Sequence, residues 1–269
     1  MKERLDVLLV KRGFFPDKDK AKRAVMAGLV IVGDKRIDKA GTMIKTDKEP
    51  SIRIKGDNLK YVSRGGLKLE KAVSVFSLDF SGKKVLDVGA STGGFTDCAL
   101  QNGAEFVYSV DVGTNQLDWK LRSDSRVKSI ENRHINDLTP DEIDNSVIDY
   151  IVIDVSFISI KRVLPDLLSF FSPHTKLMAL IKPQFEASKE DIAKGGIVKD
   201  ENVHMKIIED IVKFAREKGL YLEKLDFSPI TGTKGNVEYI SLFGIDSLQE
   251  KSIDINEVVI KGKNLGGTI

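Results

Sequence analysis

The sequence has little of the side chains that build disulfide frameworks and metal sites. It contains one cysteine, Cys98, and three histidines among 269 residues. A single cysteine excludes a disulfide framework and a cysteine-rich zinc site. The histidines at positions 134, 174 and 204 show no metal-ligand spacing. We therefore expect no metal, and we interpret Cys98 and the histidines as ordinary surface or core residues.

Long apolar runs are also missing. Runs such as residues 150–153 and 177–181 are far shorter than the roughly 20 residues that a membrane span requires. The first residues, Met1-Lys-Glu-Arg-Leu-Asp6, are charged at once and lack the apolar region of a secretory signal. We therefore expect a cytoplasmic protein that has no membrane partner.

The chain has no strong net charge, but its charges are unevenly distributed. There are 42 Lys+Arg against 40 Asp+Glu, which gives a net charge of +2. Residues 1–60 hold 16 Lys+Arg and 9 Asp+Glu, so the remainder of the chain is mildly acidic. A basic segment of this kind points to nucleic acid or to another anionic surface. A solvated, lysine-rich surface is the alternative reading of the same counts.

Residues 1–59 show the pattern of a small α+β domain. Leu5, Leu8 and Leu9 share one helical face, and Asp17 can cap a second helix that runs to about residue 27. Strands are predicted at 29–32, 35–37 and 51–54. The lysines and arginines of the second helix cannot all be buried, so they form a cationic surface.

This segment resembles the RNA-binding domain of small-subunit ribosomal protein S-four. The resemblance covers residues 3–56 and depends on Arg4-Leu-Asp6, Lys20-Ala-Lys-Arg23 and Gly28-Leu-Val-Ile-Val-Gly33. It implies contacts between basic side chains and RNA phosphates, which give affinity but little sequence readout. Residues 60–66 would be the interdomain linker. The candidate RNA-binding residues are Arg4, Lys11, Arg12, Lys20, Lys22, Arg23, Lys35 and Arg64.

A strand, a glycine loop and a helix follow at residues 83–101. Residues 85–88 form a buried strand, the loop holds Gly89, Gly93 and Gly94, and the next strand ends at Asp111. This arrangement presents backbone N–H groups to a ligand, and an acidic residue after the second strand can accept ribose hydroxyls. The loop does not match the dinucleotide pattern Gly-x-Gly-x-x-Gly. A purely structural strand-to-helix turn remains the alternative.

The loop looks like the S-adenosylmethionine loop of Rossmann-fold methyltransferases. In that resemblance Asp87 suits the cationic amino group of the methionine part, and Asn132 takes a polar contact to adenine. Trp119 could face the site, although we expect it in the core. The implied cofactor-binding residues are Asp87, Gly89, Ala90, Ser91, Thr92, Gly93, Gly94, Phe95, Asp111, Asn132 and Asp154.

Two charged residues end apolar strands at the edge where an open α/β sheet binds its ligands. Asp154 lies near the end of the strand predicted at 148–155, and Lys182 directly follows the strand predicted at 175–181. A charge at such a position is costly unless it is paired or functional. A structural ion pair between the two is the plain alternative. With Lys68 before the first strand and Glu238 on the last one, the four form a Lys–Asp–Lys–Glu series.

This series resembles the tetrad of FtsJ-class ribose 2′-O-methyltransferases, and the whole chain resembles the TlyA family, whose members are often labelled hemolysins. The carrying motifs are Ser63-Arg-Gly-Gly66, Asp87-Val-Gly-Ala-Ser-Thr-Gly-Gly-Phe-Thr-Asp97, Asp154-Val-Ser-Phe-Ile-Ser159, Lys182-Pro-Gln-Phe-Glu186, Lys194-Gly-Gly-Ile-Val198 and Ser228-Pro-Ile-Thr-Gly-Thr-Lys-Gly-Asn236. The resemblance implies an α/β fold with a mostly parallel seven-stranded sheet at 67–245. It also implies methyl transfer from S-adenosylmethionine to a cytidine 2′-hydroxyl of ribosomal RNA, free or in a subunit. We take a monomer as the default oligomeric state.

A ribose hydroxyl is a very weak acid, so methyl transfer to it needs a positioned base. Lys182 can serve if Lys68 and partial burial favour its neutral form, while Asp154 and Glu238 act in the opposite direction.

Residues 189–199 are predicted to form either a mobile loop over the site or an inert surface loop. Residues 246–269 are a C-terminal extension that we expect to be frayed, with an RNA-binding tail as the alternative. A membrane-active hemolysin and a non-enzymatic ribosome-assembly factor are the alternative functions.

Overall fold

A computed structural model describes residues 2–12, 14–15, 17–33, 35–46, 52–54, 60–232 and 235–266. The chain forms two compact units, residues 1–60 and residues 61–269. Within the described residues no helix is long and apolar enough to cross a membrane.

The N-terminal unit combines two helices with two small antiparallel sheets in its described part. These elements are β1 (Lys2–Arg4), α1 (Leu5–Lys11), α2 (Lys18–Met26), β2 (Val30–Val32), β3 (Lys35–Ile37), β4 (Met43–Lys45) and β5 (Ile52–Ile54). The order β3-β2-β5 makes one sheet, and β1 pairs with β4 in the other. Asp17 caps α2 by accepting from the Lys20 N–H at 2.7 Å, as predicted. The apolar faces of both helices, including Leu5, Leu9 and Val25, are buried in one core.

The C-terminal unit is an α/β domain that contains a seven-stranded sheet. Its helices are α3 (Gly65–Phe76), α4 (Gly94–Gln101), α5 (Trp119–Arg122), α6 (Ile160–Leu167), α7 (Pro183–Glu186), α8 (Glu201–Glu217) and α9 (Ile255–Gly266). Its strands are β6 (Lys84–Val88), β7 (Phe106–Val110), β8 (Val127–Ile130), β9 (Tyr150–Ile153), β10 (Lys176–Ile181), β11 (Tyr221–Phe227) and β12 (Tyr239–Gly244). The strand order is β11-β12-β10-β9-β6-β7-β8.

The central strands β10, β9, β6, β7 and β8 are parallel, and β12 runs antiparallel to both β10 and β11. Neighbouring residues of one strand enter different cores, as Val85 and Leu86 show. One core holds residues of α3 and α4, and the other holds residues of α6, α8 and α9. Strands that are covered on both faces consist of nearly continuous runs of apolar residues in the sequence. The predicted mostly parallel seven-stranded sheet is confirmed.

Two expectations outside the sheet were wrong. The C-terminal extension is not frayed through residue 266, because α9 buries Val259 completely and brings Gly262 against Phe227 and Val237. Trp119 is not a core residue, since it is 77% exposed while Leu121 occupies the buried position of the short helix α5. Cys98 is buried, as the packing interpretation expected.

Candidate active site

Four charged side chains meet at one edge of the sheet because of the strand directions. Asp154 follows β9 and Lys182 follows β10, so both lie at the carboxyl ends of parallel strands. Glu238 lies directly before β12, and because β12 is antiparallel its beginning reaches the same edge. Lys68 lies in the first turn of α3. Ligands of open α/β sheets bind at this edge.

The four side chains form a continuous series of alternating charge. Lys68 Nζ lies 2.7 Å from Glu238 Oε2 and 3.3 Å from Asp154 Oδ2. Lys182 Nζ lies 2.5 Å from Asp154 Oδ1. Asp154 therefore joins the two lysines, with one carboxylate oxygen next to each. The structure brings together all four residues of the predicted tetrad.

Because most of the tetrad is buried, its ion pairs determine the pKa values of Lys68 and Asp154. Lys68, Lys182 and Glu238 are all buried. Burial alone would lower the pKa of Lys68, but the attraction of Asp154 and Glu238 outweighs it and raises that pKa. Burial alone would raise the pKa of Asp154, but Lys68 and Lys182 together lower it. Lys68 is therefore a fixed positive charge between two carboxylates.

Two uncharged side chains extend the series, and sequence reasoning missed both. Lys182 Nζ donates to Ser156 Oγ at 2.9 Å, and Gln184 Nε2 donates to Glu238 Oε1 at 3.0 Å. Each lies two residues beyond a tetrad member in the sequence. This spacing of two residues was the only feature of the sequence that could have pointed to them.

The glycine loop follows β6 and lies against the same edge. Gly89 has a φ of +81°, and a Cβ there would come within 3.2 Å of the Asp154 carbonyl oxygen. Gly94 begins α4, where a Cβ would lie 2.3 Å from Ser63 Oγ and 2.8 Å from the Gly66 nitrogen. Glycine is therefore required at Gly89 by backbone conformation and at Gly94 by the close approach of another backbone segment.

Asp87, the last residue but one of β6, is completely buried beside this loop. Its Oδ2 accepts from Thr96 Oγ1 at 2.6 Å, whereas its Oδ1 has no hydrogen-bond partner among the described residues. Burial raises the pKa of Asp87 to about 7. A buried acceptor without a partner fits a ligand that brings a positive charge and N–H donors.

A cavity of about 510 Å³ connects the charged series with the glycine loop. Its walls include all four tetrad residues, Asp87 and most of the loop. Loop members on the wall are Gly89, Ala90, Ser91, Thr92, Gly94 and Phe95, and the wall also includes Ile192 and Gly196 from the 189–199 segment. Gly93 is the predicted loop residue that is not part of this wall; its φ of +94° forms the turn that precedes α4. Residues 189–199 thus border the site.

A second cavity of about 420 Å³ adjoins the first and contains Asp111. Both cavities are lined by Gly89, Ser91, Asp154, Ser156 and Phe157. Asp111 accepts from the backbone N–H groups of Ser91 and Gly113, each at 2.7 Å. Each carboxylate oxygen has a further lone pair, so Asp111 can still accept from ribose hydroxyls.

Asn132 lies outside the described walls of both cavities, and its backbone N–H donates to the Gly113 carbonyl. The three residues after it, Arg133, His134 and Ile135, line the second cavity instead. Asn132 is the second residue after the strand that ends at Ile130, and the chain lines the second cavity from Arg133 onward. Asn132 has a φ of +51°, so it serves as a turn residue.

The predicted RNA-binding side chains of the N-terminal unit are all exposed. Lys11 lies 3.5 Å from Glu3 in an exposed ion pair. Arg4 differs from the others because its guanidinium donates to both oxygens of the buried Asp6, at 3.0 and 2.7 Å. Arg64, in the other unit, is exposed and borders the larger cavity. The remaining exposed members are Arg12, Lys20, Lys22, Arg23 and Lys35.

Comparison with known proteins places the chain in a family. Residues 61–245 match the FtsJ-like methyltransferase family, and residues 3–49 match the S4 domain. The chain is 42% identical over 241 residues to "Hemolysin A" of Brachyspira hyodysenteriae, covering 89% of this chain and 99% of that protein. It is 37% identical over 236 residues to "16S/23S rRNA (cytidine-2'-O)-methyltransferase TlyA" of Mycobacterium tuberculosis, covering 88% and 87%.

A solved structure is similar to this chain over almost its whole length. A Streptococcus thermophilus structure that carries a hemolysin name is 45% identical and superimposes with a TM-score of 0.75, covering 98% of this chain and 96% of its own. The match includes both units, since it covers almost the whole sequence. The chain therefore belongs to the FtsJ-like methyltransferase family, with an S4 domain at its N-terminus.

Proposed function

We propose that this protein transfers a methyl group from S-adenosylmethionine to the 2′-hydroxyl of a cytidine in ribosomal RNA. The observation that carries the proposal is the ion-paired series Glu238–Lys68–Asp154–Lys182, which lines the same cavity as the glycine loop. The names of the TlyA relatives supply the RNA class and the nucleoside. The exposed cationic side chains of the S4 domain suit the phosphates of such a substrate.

The residues around the two cavities fit S-adenosylmethionine. Asp87 would accept from its amino group through the unpartnered Oδ1, loop residues 89–95 would lie against its methionine part, and Asp111 would accept from its ribose. When bound, this cofactor supplies a methyl group on a sulfonium, which is already activated for transfer. The remaining task of the protein is to align the ribose hydroxyl and to remove its proton.

Lys182 is the proposed base. Within the part of the chain that the structure describes, its Nζ has two polar neighbours, Ser156 Oγ and Asp154 Oδ1. A lysine nitrogen can make one further contact, which we assign to the ribose hydroxyl. Asp154 lies between Lys182 and Lys68, with one carboxylate oxygen next to each lysine, so it positions the base relative to the rest of the tetrad. Glu238 and Gln184 position Lys68 from the other side.

Methyl transfer to ribosomal RNA tests the proposal directly. Labelled S-adenosylmethionine would be given to unmodified small and large ribosomal subunits and to their free RNAs, with the wild type, Lys182→Ala and Lys213→Ala. Lys213 is an exposed lysine of α8 and serves as the matched control. Alkali-resistant label at one cytidine is expected with the wild type and the control, and not with Lys182→Ala.

Cofactor affinity, measured by calorimetry on the same three proteins, separates loss of catalysis from loss of folding. Transfer by Lys182→Ala at the wild-type rate would refute the role of the lysine. Absence of transfer to every RNA, despite normal cofactor binding, would refute the RNA substrate. Liposome leakage by the wild type would instead favour the membrane-active alternative.

A further inference from the structure

The side-chain amide oxygen of Gln184 is a hydrogen-bond acceptor that has no role in the proposed mechanism. It lies in α7 and lines the larger cavity together with Lys182 and Glu238. Its Nε2 donates to Glu238 Oε1 at 3.0 Å. A carboxylate held by Lys68 only accepts hydrogen bonds, so this contact fixes the amide with its nitrogen on Glu238. The orientation of the oxygen is therefore also fixed.

That oxygen, Oε1, is buried and has no hydrogen-bond partner among the described residues. A buried acceptor without a partner is costly, and in native proteins it usually receives a donor from a ligand or a water molecule. Asp87 Oδ1 is in the same situation across the cavity. Asp154 Oδ1 is a third acceptor without a hydrogen bond on this wall, but Lys182 Nζ lies 2.5 Å from it in an ion pair. Asp87 Oδ1 and Gln184 Oε1 have no such ion-pair partner among the described residues.

The sheet order separates the two acceptors. Asp87 and the glycine loop belong to β6, and Asp111 follows β7, whereas Gln184 follows β10 on the opposite side of β9. The proposed cofactor site lies toward β6 and β7. The donor that reaches Gln184 therefore belongs to the methyl acceptor, and the acceptor's ribose hydroxyl is already assigned to Lys182.

We propose that Gln184 Oε1 accepts a hydrogen bond from the exocyclic amino group of the target cytosine. This inference rests on the proposed function and names the residue that selects the base. The amino group is the hydrogen-bond donor that cytosine presents, whereas uracil presents a carbonyl oxygen at that position. Uracil would place that oxygen against Oε1, and neither atom could donate. A neutral acceptor therefore selects cytidine without adding a charge to the balanced tetrad.

A thermodynamic cycle between protein and base tests the pair. The first RNA is ribosomal RNA with the mapped target cytidine, and the second carries, through a ligated synthetic segment, a pyrimidin-2-one nucleoside that lacks only the amino group. Both are methylated by the wild type and by Gln184→Met, which keeps the side-chain length but cannot accept strongly. Gln249→Met, at an exposed glutamine, is the matched control. The loss of the Glu238 contact in Gln184→Met affects both RNAs alike and cancels from the ratio of their kcat/KM values.

The wild type and Gln249→Met are expected to prefer the cytidine RNA by about 10- to 100-fold, as for a bond whose loss leaves a buried acceptor unpaired. In Gln184→Met the preference should fall to within about threefold. An equal preference in Gln184→Met and the wild type would overturn the inference while leaving the methyltransferase intact. Failure of the wild type to methylate either RNA would overturn the proposed function, and the inference with it.

Discussion

Thr96 donates a hydrogen bond of 2.6 Å to Asp87 Oδ2, while Oδ1 of the same buried carboxyl faces no donor among the described residues. One hydroxyl does not offset complete burial, so the pKa of Asp87 rises to about 7. At neutral pH the free protein therefore exists with this carboxyl partly protonated. An arriving cation would be bound by the ionised form.

The first prediction concerns the pH dependence of cofactor affinity. Raising the pH from about 5.5 to about 7.5 ionises Asp87, so the affinity for S-adenosylmethionine should rise roughly tenfold. Asp87→Asn should bind weakly and with little pH dependence. Titration calorimetry across this range measures both. A wild-type affinity that is flat with pH would show that Asp87 does not bind the amino group.

The same carboxyl group also makes the stability of the protein depend on pH. Stability should fall as the pH rises, whereas the cofactor affinity should increase. Because the pKa of Asp87 is raised by folding, the folded protein holds a proton that the unfolded chain has lost, and stability falls as the pH rises from about 4 to about 7. Asp87→Asn removes this penalty, so it should be more stable than the wild type above neutral pH. Urea unfolding at several pH values provides the comparison.

The second prediction concerns the charge balance of the tetrad. Lys68→Met leaves the buried Glu238 without its positive partner and the half-buried Asp154 with Lys182 alone, so the free energy of unfolding should fall by about 3–5 kcal/mol. Adding Glu238→Gln removes one of the unpaired charges and should restore about 1–3 kcal/mol, although neither protein should methylate RNA. Urea denaturation of the single and double variants measures the difference. A double variant less stable than Lys68→Met would contradict this account.

The sequence predicted that Asp154 and Lys182 lie at the same edge of the sheet, because charges at the ends of apolar strands are unusual. Asp154 and Lys182 follow runs that must be buried, and parallel strand ends converge by topology. Ser156, in a loop, and Gln184, in α7, were missed because an uncharged polar residue is a weaker signal than a charge. Only their spacing of two residues from Asp154 and Lys182 pointed to them. Their contacts depend on the side-chain geometry of Lys182 and Glu238, which a sequence does not contain.

The errors outside the tetrad have similarly local causes. The helix α9 was missed because its apolar positions are few and its stability comes from packing on β11. Trp119 was expected in the core because of its size, yet the four-residue helix α5 has only one buried position, which Leu121 takes. The contact of Asn132 with adenine stays a prediction, since the structure shows only that Asn132 does not line the two described cavities.

The third prediction concerns His204, which is buried between α8 and β12. Its Nε2 donates to the Val198 carbonyl at 2.9 Å, so its Nδ1 accepts from the Tyr239 hydroxyl at 2.7 Å and the ring is neutral. Burial lowers the pKa of His204, which means that its contribution to stability is present above about pH 6.5 and is lost as the pH falls. The cost of His204→Gln should therefore be smaller at acidic pH than at neutral pH.

Urea unfolding of the wild type and His204→Gln at both pH values measures that difference. The comparison of variants is necessary because Asp87 makes the wild type more stable in acid, in the opposite direction. Asp87→Asn provides a background in which this opposing effect is absent. A cost of His204→Gln that grows as the pH falls would mean that His204 is charged in the folded protein.

The last prediction concerns Arg4 and Lys22, two basic residues of the S4 domain for which the sequence predicted the same role in RNA binding. Arg4 pairs with the buried carboxylate of Asp6 and thereby lowers the pKa of Asp6, whereas Lys22 is exposed on α2. Arg4→Ala should therefore lower the thermal midpoint, because it leaves a buried charge unpaired. Lys22→Ala should keep the midpoint, weaken RNA binding uniformly across sequences and reduce the magnitude of the salt slope by about one. Calorimetry and RNA binding at several salt concentrations decide between these effects, and equal thermal midpoints in both variants would show that the Arg4–Asp6 pair does not stabilise the domain.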